Sequence, residues 1–224
     1  MKVGTDTVLL GAAVELSEAS GRKSDRPHKI LDVGTGTGAV ALMLAQRLGY
    51  ADYKIDAIDI DEASSSEAAG NFARSPWADH LTATHCPLRE WKGTGYDLIV
   101  SNPPFFDESL KNPDQRRSAA RHTDTLSYRD ILVYATENMT AEGRVTMILP
   151  ADVEKALIRT AGGFGLFPCS LVRIRTTARK PVKRIIATFS RLRNEFEVAE
   201  ILMMENGEYT TAYRRLVGPF LLNL

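Results

Sequence analysis

The chain has 224 residues, 44% of them hydrophobic, with 28 basic and 28 acidic side chains. That length and apolar content suffice for one domain, 1–224, with a sizeable core. The zero net charge exerts no global pull on nucleic acid, so any such contact must come from a local patch. Cys86 and Cys169 are too few for a disulfide framework and form no Cys-x-x-Cys pair. No ligand set for structural zinc is expected, and a reducing cytoplasm fits best. The first residues lack the apolar core of a signal peptide, and no run approaches the length of a membrane span.

In chain order, short β-rich runs alternate with helical ones. This predicts an α/β fold with a mostly parallel, seven-stranded sheet and helices on both faces. A helix is expected over 7–18, with Asp6 as its N-cap, then a polar loop over 21–28. A first strand at 29–33 leads through a glycine turn into an apolar helix at 39–48. A second strand at 54–60 precedes an Ala/Glu-rich helix ending near 74. Strands follow at 81–85 and 96–101, then a polar, basic, irregular stretch over 107–125. A helix is expected at 127–139, a strand at 143–149 and a helix at 151–161. The β runs at 170–175 and 183–191 predict an antiparallel pair near the sheet's end. A strand at 198–203 and a helix at 210–217 complete the chain.

The segment Asp32-Val33-Gly34-Thr35-Gly36-Thr37-Gly38-Ala39 joins a strand to a helix. Its glycines permit a tight turn and close approach of a ligand to the backbone. Gly34, Gly36 and Ala39 also satisfy the dinucleotide pattern G-x-G-x-x-G/A. Two features favour S-adenosylmethionine instead. Asp32 stands two residues before the first glycine, where a carboxylate can hold a ligand's amino group directly or through water. The spacing of Asp32, Gly34, Gly36 and Gly38 also resembles the signature of class I methyltransferases. About twenty residues on, Asp59 ends a strand where an acid accepts from both ribose hydroxyls, while Asp61 caps the next helix. The segment after the third strand, Thr84-His85-Cys86-Pro87-Leu88, carries no carboxylate. Adenine contact there falls to backbone and to Leu88, with His85 and Cys86 as packing residues.

The most informative stretch is Ser101-Asn102-Pro103-Pro104-Phe105-Phe106, at the end of an apolar strand. Two prolines stop the strand and rigidify the turn. The turn presents the Asn102 side chain and the Pro103 carbonyl at the edge where such sheets bind ligands. An exocyclic amino group is a poor nucleophile because its lone pair is conjugated. Two acceptors can hold its two hydrogens and turn that lone pair toward a methyl donor. Phe105 offers a stacking face for a planar base. Asn102, Pro103 and Phe105 are thus the expected catalytic residues, Asn102 also bordering the cofactor, with orientation as the main device. Because its partner arrives with the substrate, Asn102 is expected to be dispensable for folding.

These motifs resemble a known family, the bacterial tRNA adenine-N6 methyltransferases acting next to the anticodon of a valine tRNA. The resemblance covers nearly the whole chain. It is carried by Lys2-Val3-Gly4-Thr5-Asp6, the glycine turn, Ala57-Ile58-Asp59-Ile60-Asp61, Ser101 to Phe106, Ala120-Arg121-His122 ahead of Leu126-Ser127, and the tail from Tyr209. It implies a Rossmann-like class I fold, S-adenosylmethionine as cofactor, a tRNA substrate and N6-methyladenine as product. It further implies that Gly4, Thr5 and Asp6 sit against the cofactor's methionine end. The chain departs from the family in lacking an acid after the third strand. Relatives also carry a segment ahead of the Lys-Val-Gly-Thr-Asp motif, within which this chain begins, so cofactor closure is expected to suffer.

Eight basic residues crowd 171–194 with no acid among them: Arg173, Arg175, Arg179, Lys180, Lys183, Arg184, Arg191 and Arg193. The loop after the acceptor motif adds Lys111, Arg116, Arg117, Arg121 and His122. Uncompensated charge of this kind contacts phosphates. The expected substrate-binding set is Pro104, Phe105, Phe106, Arg116, Arg121, His122, Arg179, Lys180, Lys183 and Arg184. The acids from Glu195 to Glu208 are expected to face away. The nearest rival is a protein methyltransferase acting on a glutamine amide, which usually has tyrosine after the prolines. A DNA adenine methyltransferase would need a target-recognition domain. An NAD-linked oxidoreductase leaves Asn102-Pro103-Pro104-Phe105 unexplained, and a non-catalytic RNA-binding module does not need that motif. No feature calls for a membrane or an obligate protein partner.

Overall fold

Apolar residues on both faces of the central strands decide the architecture. In β1 (His28–Val33), Ile30 and Leu31 are both fully buried but belong to different hydrophobic clusters, one on each side of the sheet. β4 (Tyr96–Ser101) repeats this, with Leu98 and Val100 on one side and Ile99 on the other. Strands buried on both faces need helices on both faces, which parallel β-α-β connections supply. The computed structural model describes residues 4–16, 26–49, 51–104, 126–193 and 195–221.

The main sheet has the order β3-β2-β1-β4-β5-β7-β6-β8. β2 (Tyr53–Asp59), β3 (Leu81–His85) and β5 (Met139–Pro150) run parallel to β1 and β4. β7 (Arg184–Ser190) is antiparallel to both of its neighbours, β5 and β6 (Phe167–Arg175). The expected fold class therefore holds, with the antiparallel pair where it was predicted. Among the described residues the sheet has eight strands rather than seven: every strand predicted along the chain joins it, the last, β8 (Glu197–Leu202), lying parallel beside β6 as its edge. A small hairpin, β9 (Met204–Glu205) with β10 (Glu208–Tyr209), follows it.

One face is covered by α1 (Thr5–Ala13), α2 (Ala39–Leu48), α3 (Glu62–Ala73) and α6 (Thr211–Val217). The other is covered by α4 (Tyr128–Asn138) and α5 (Glu154–Gly163). Asp61 caps α3 as expected, its carboxylate accepting from Ser64 N at 2.8 Å. Asp6 does not cap α1. Gly4 holds that position, and Asp6 lies in the first turn. Its carboxylate is drawn to Arg184 at the start of β7, 2.7 Å away, so a long-range ion pair outcompetes the local cap.

The strand order reverses between β1 and β4. Crossovers leave in opposite directions there, opening a crevice beyond the carboxyl ends of the two strands. The glycine turn follows β1 and Asn102 follows β4, so this topology brings residues 34 and 102 to one place.

Candidate active site

The glycine turn is built by backbone conformations closed to most residues. Gly34, Gly36 and Gly38 have φ of 71°, 57° and 79°. Gly34 and Gly36 line a cleft of about 740 Å³, a volume suited to a cofactor-sized ligand. A Cβ on Gly34 would find only Leu126 Cδ2, at 3.5 Å, so the backbone stands open to a ligand. Gly38 has a different use. It is buried, and a Cβ there would come within 2.8 Å of Phe72 Cζ and 3.2 Å of Ala68 Cβ. It lets α2 and α3 pack and does not border the cleft.

Asp59 ends β2 at the cleft wall. Its Oδ2 accepts from Gly36 N at 2.8 Å and its Oδ1 from Asp61 N at 2.9 Å. One carboxylate thus ties the glycine turn to the next strand, with both oxygens fixed in orientation. Asp32 is placed otherwise than the sequence suggested. It is 2% exposed, lies beneath the turn and is absent from the cleft wall. Its Oδ2 accepts from Thr35 Oγ1 at 2.7 Å, so it braces the turn from inside. Burial pushes its carboxyl up to about 6, partly offset by the Thr35 bond and the Ala41 amide, with the Asp59 charge adding to the rise.

That shift has a consequence for stability. The folded carboxyl keeps its proton to about pH 6, whereas an unfolded one loses it near 3.8. Its contribution is therefore intact below about pH 4 and is lost as pH rises through 6. Compared with Asp32→Asn, the parent protein should lose an extra ~1–3 kcal/mol of unfolding free energy between pH 4 and 7. Urea unfolding of both proteins across that range measures it, and parallel pH profiles would refute it.

The far wall comes from the β3–β4 connection and α4. Cys86, Pro87 and Leu88 line it, with Leu88 8% exposed. His85 does not pack in the core. It is exposed, and its Nε2 lies 2.9 Å from Ile60 O. Ile60 is 47% exposed within the cleft, an apolar surface next to Asp59 that the sequence reading passed over. An apolar side chain just past the acid of the second strand was the available cue. Trp91 and Tyr134 were also missed. Trp91 Nε1 donates to Tyr96 Oη at 2.8 Å, which donates to Asp56 Oδ2 at 2.7 Å. Tyr134 Oη donates to Gly93 O. These bonds pin the connection against β2, β4 and α4, which lie far apart in sequence.

Asn102 and Pro104 line the cleft, while Pro103 is buried beside them. Ser101, fully buried, donates from Oγ to Val33 O at 2.8 Å and locks the end of β4 to the end of β1. Asn102 is not without a partner, contrary to expectation. Its Nδ2 donates to Thr7 Oγ1 at 3.3 Å, because the start of α1 lies at the end of β4. Gly4 and Thr5 are exposed at the start of α1 and do not border the cleft. Phe105, Phe106, Lys111, Arg116, Arg117, Arg121 and His122 lie outside the described residues.

The run of basic residues is less uncompensated than its sequence implies. Arg173 pairs with Glu154 at 2.6 Å, Arg175 with Glu200 at 3.0 Å and Arg184 with Asp6 at 2.7 Å. Arg191 donates to Thr136 O, and Arg193 lies over the Phe167 ring at 4.4 Å. Glu200 does not face away from the basic run, because β8 lies beside β6. Arg179, Lys180 and Lys183 remain exposed in the β6–β7 loop. Ile174 pairs with Arg184, and Arg184 with Pro150 at the carboxyl end of β5, so this loop shares the sheet edge with Asn102.

Comparison with known proteins gives the family. The Methyltransferase small domain family matches residues 11–151. A tRNA1(Val) (adenine(37)-N6)-methyltransferase of Bacteroides thetaiotaomicron is 39% identical over 100% of this chain and 92% of its own length. A protein of the same description from Aeromonas hydrophila is 34% identical over 100% of this chain and 92% of its own. The chain belongs to the tRNA1(Val) (adenine(37)-N6)-methyltransferase family. Among solved structures, the fold is shared with a predicted O-methyltransferase from Agrobacterium tumefaciens (TM-score 0.68, 17% identity, 95% of both chains). It is also shared with a restriction-modification methyltransferase subunit from Streptococcus thermophilus (TM-score 0.63, 13% identity, 97% of this chain and 52% of that one).

Proposed function

We propose that this protein transfers a methyl group from S-adenosylmethionine to the exocyclic N6 of an adenine in tRNA, adenine 37 of tRNA1(Val). The observation that carries it is the meeting of Asn102 and Pro104 with Gly34, Gly36 and Asp59 in one cleft. The cofactor, when bound, supplies an electrophilic methyl on a sulfonium. The cleft fits such a ligand. Gly34 and Gly36 leave bare backbone for its methionine part, Asp59 offers a fixed carboxylate for the ribose, and Ile60 and Leu88 give apolar surface for the adenine. Asp32 supports the turn beneath it.

The protein's part in the chemistry is orientation. The Asn102 Oδ1 and the Pro103 carbonyl accept the two hydrogens of the adenine amine and hold it so that its lone pair leaves the ring plane. The nitrogen would gain the methyl carbon as its bond to the sulfonium sulfur breaks, leaving a neutral thioether, and would release one proton to solvent. No general base of tuned pKa is needed, and near-attack positioning provides the acceleration. Phe105 and Phe106 stack on the extruded base in this reading, and Arg116, Arg121 and His122 contact the tRNA backbone.

The test is incubation of purified protein with labelled cofactor and unmodified tRNA1(Val), followed by mass spectrometry of the nucleosides. N6-methyladenine is expected, and label on a protein glutamine or no transfer would overturn the reading. For the cofactor, Asp59→Ala removes the ribose acceptor and unties Gly36 N. It should weaken affinity by ~1–3 kcal/mol, read by calorimetry, and unchanged affinity would sink the assignment. For the tRNA, replacing Arg179, Lys180 and Lys183 by alanine should raise the dissociation constant and flatten its salt dependence. The cofactor's affinity should not move. An unchanged salt slope would place the contact elsewhere.

A further inference from the structure

We infer that Thr7 is a positioning residue for Asn102, holding its amide with the acceptor end toward the substrate. This rests on the role of Asn102 proposed above. A primary amide has an acceptor end and a donor end of nearly equal size, so shape alone does not choose between them. Turned the wrong way, Asn102 would set an NH2 against the amino group it has to hold, donor against donor. The Nδ2 of Asn102 donates to Thr7 Oγ1 at 3.3 Å, which leaves Oδ1 as the end for the cleft that Asn102 lines. The backbone cannot swivel to undo this. Ser101 Oγ ties the strand end to Val33 O at 2.8 Å on one side, and Pro103 fixes it on the other.

Thr7 is itself held in place. It sits in the first turn of α1, next to Asp6, whose carboxylate is 2.7 Å from Arg184 Nε at the start of β7. Val8, Leu9 and Leu10 bury the adjoining helix face, at 7%, 1% and 0% exposure. The hydroxyl therefore stands on an element anchored at both the ion pair and the core. Thr7 acts through Asn102, with no direct contact to the reacting atoms required.

The experiment compares Thr7→Val, Thr7→Ser, Asn102→Ala and the Thr7→Val/Asn102→Ala double variant. Valine keeps the branched shape and removes the hydroxyl, and serine restores it. Single-turnover rates at saturating tRNA, the tRNA dissociation constant, cofactor affinity and thermal melts are read for each. Thr7→Val should slow transfer by about three- to tenfold, the scale of one net hydrogen bond, with both affinities unchanged and the melt lowered no more than in Asn102→Ala. Thr7→Ser should recover most of the rate, and the double variant should be no slower than Asn102→Ala alone. A Thr7→Val enzyme at the parent rate, a serine variant as slow as the valine one, or fully additive losses in the double variant would each overturn the inference. Failure of the underlying reading shows separately, as Asn102→Ala transferring at the parent rate.

Discussion

Asn102→Ala should slow methyl transfer by roughly a hundred- to a thousandfold while leaving the protein folded. The expected loss is about 2.7–4 kcal/mol of barrier stabilisation, the scale known for removing one oriented polar contact to a reacting group. Without Oδ1 the adenine amine is free to rotate and to keep its lone pair in conjugation. The cost to stability is smaller but not zero. The substitution leaves the Thr7 hydroxyl without its partner, and one such bond is worth about 0.5–1.5 kcal/mol. Thr7 is half-buried, and water can take up part of that loss. Asn102→Asp is the sharper variant, since a carboxylate keeps an acceptor toward the amine and should retain more activity than alanine. Single-turnover rates on unmodified tRNA, with thermal melts alongside, decide it. A folded Asn102→Ala enzyme at the parent rate would refute the proposed chemistry.

Gly38→Ala should cost the fold about 2–5 kcal/mol. Part of this, about 1–2 kcal/mol, is the left-handed backbone at φ 79°. The rest, about 1–3 kcal/mol, is overpacking, because the new methyl meets the Phe72 ring and Ala68 Cβ. Phe72 is 2% exposed and has no room to withdraw. For a domain of this size the melting temperature should fall by roughly 5–15 °C. Urea unfolding measures the loss, and a Gly38→Ala cost no greater than the about 1–2 kcal/mol of the left-handed backbone would show that the contact between Gly38 and α3 is looser than the structure shows.

The secondary structure was largely legible because each element is locally consistent. The helix at 39–48 and the strands at 81–85 and 96–101 fall where period and turn residues put them. The glycine turn and Asn102-Pro103-Pro104 were legible for the same reason. Each is a short segment whose own residues impose its conformation, through positive φ in one case and proline in the other. α1 was misjudged at its start, where an N-cap reading of Asp6 considered only neighbours in the chain.

By itself, then, the sequence determined the fold class, the two motifs and the family they resemble, all of which depend on residues a few positions apart. What only the tertiary structure decided is which of those residues act together. Asp32 and Asp59 look alike as acids at strand ends. Burial directs the first inward to Thr35, and the second faces the cleft while holding Gly36 N. Eight arginines and lysines over 171–194 read as one basic face. Glu154, Glu200 and Asp6 neutralise three of them from other elements, Arg191 and Arg193 turn to Thr136 O and the Phe167 ring, and Arg179, Lys180 and Lys183 remain exposed at the edge that Asn102 occupies. Thr7 and Asn102 are 95 positions apart and meet only because the start of α1 lies at the end of β4. Sheet order and helix packing set such distances, and no periodicity or spacing along the chain encodes them.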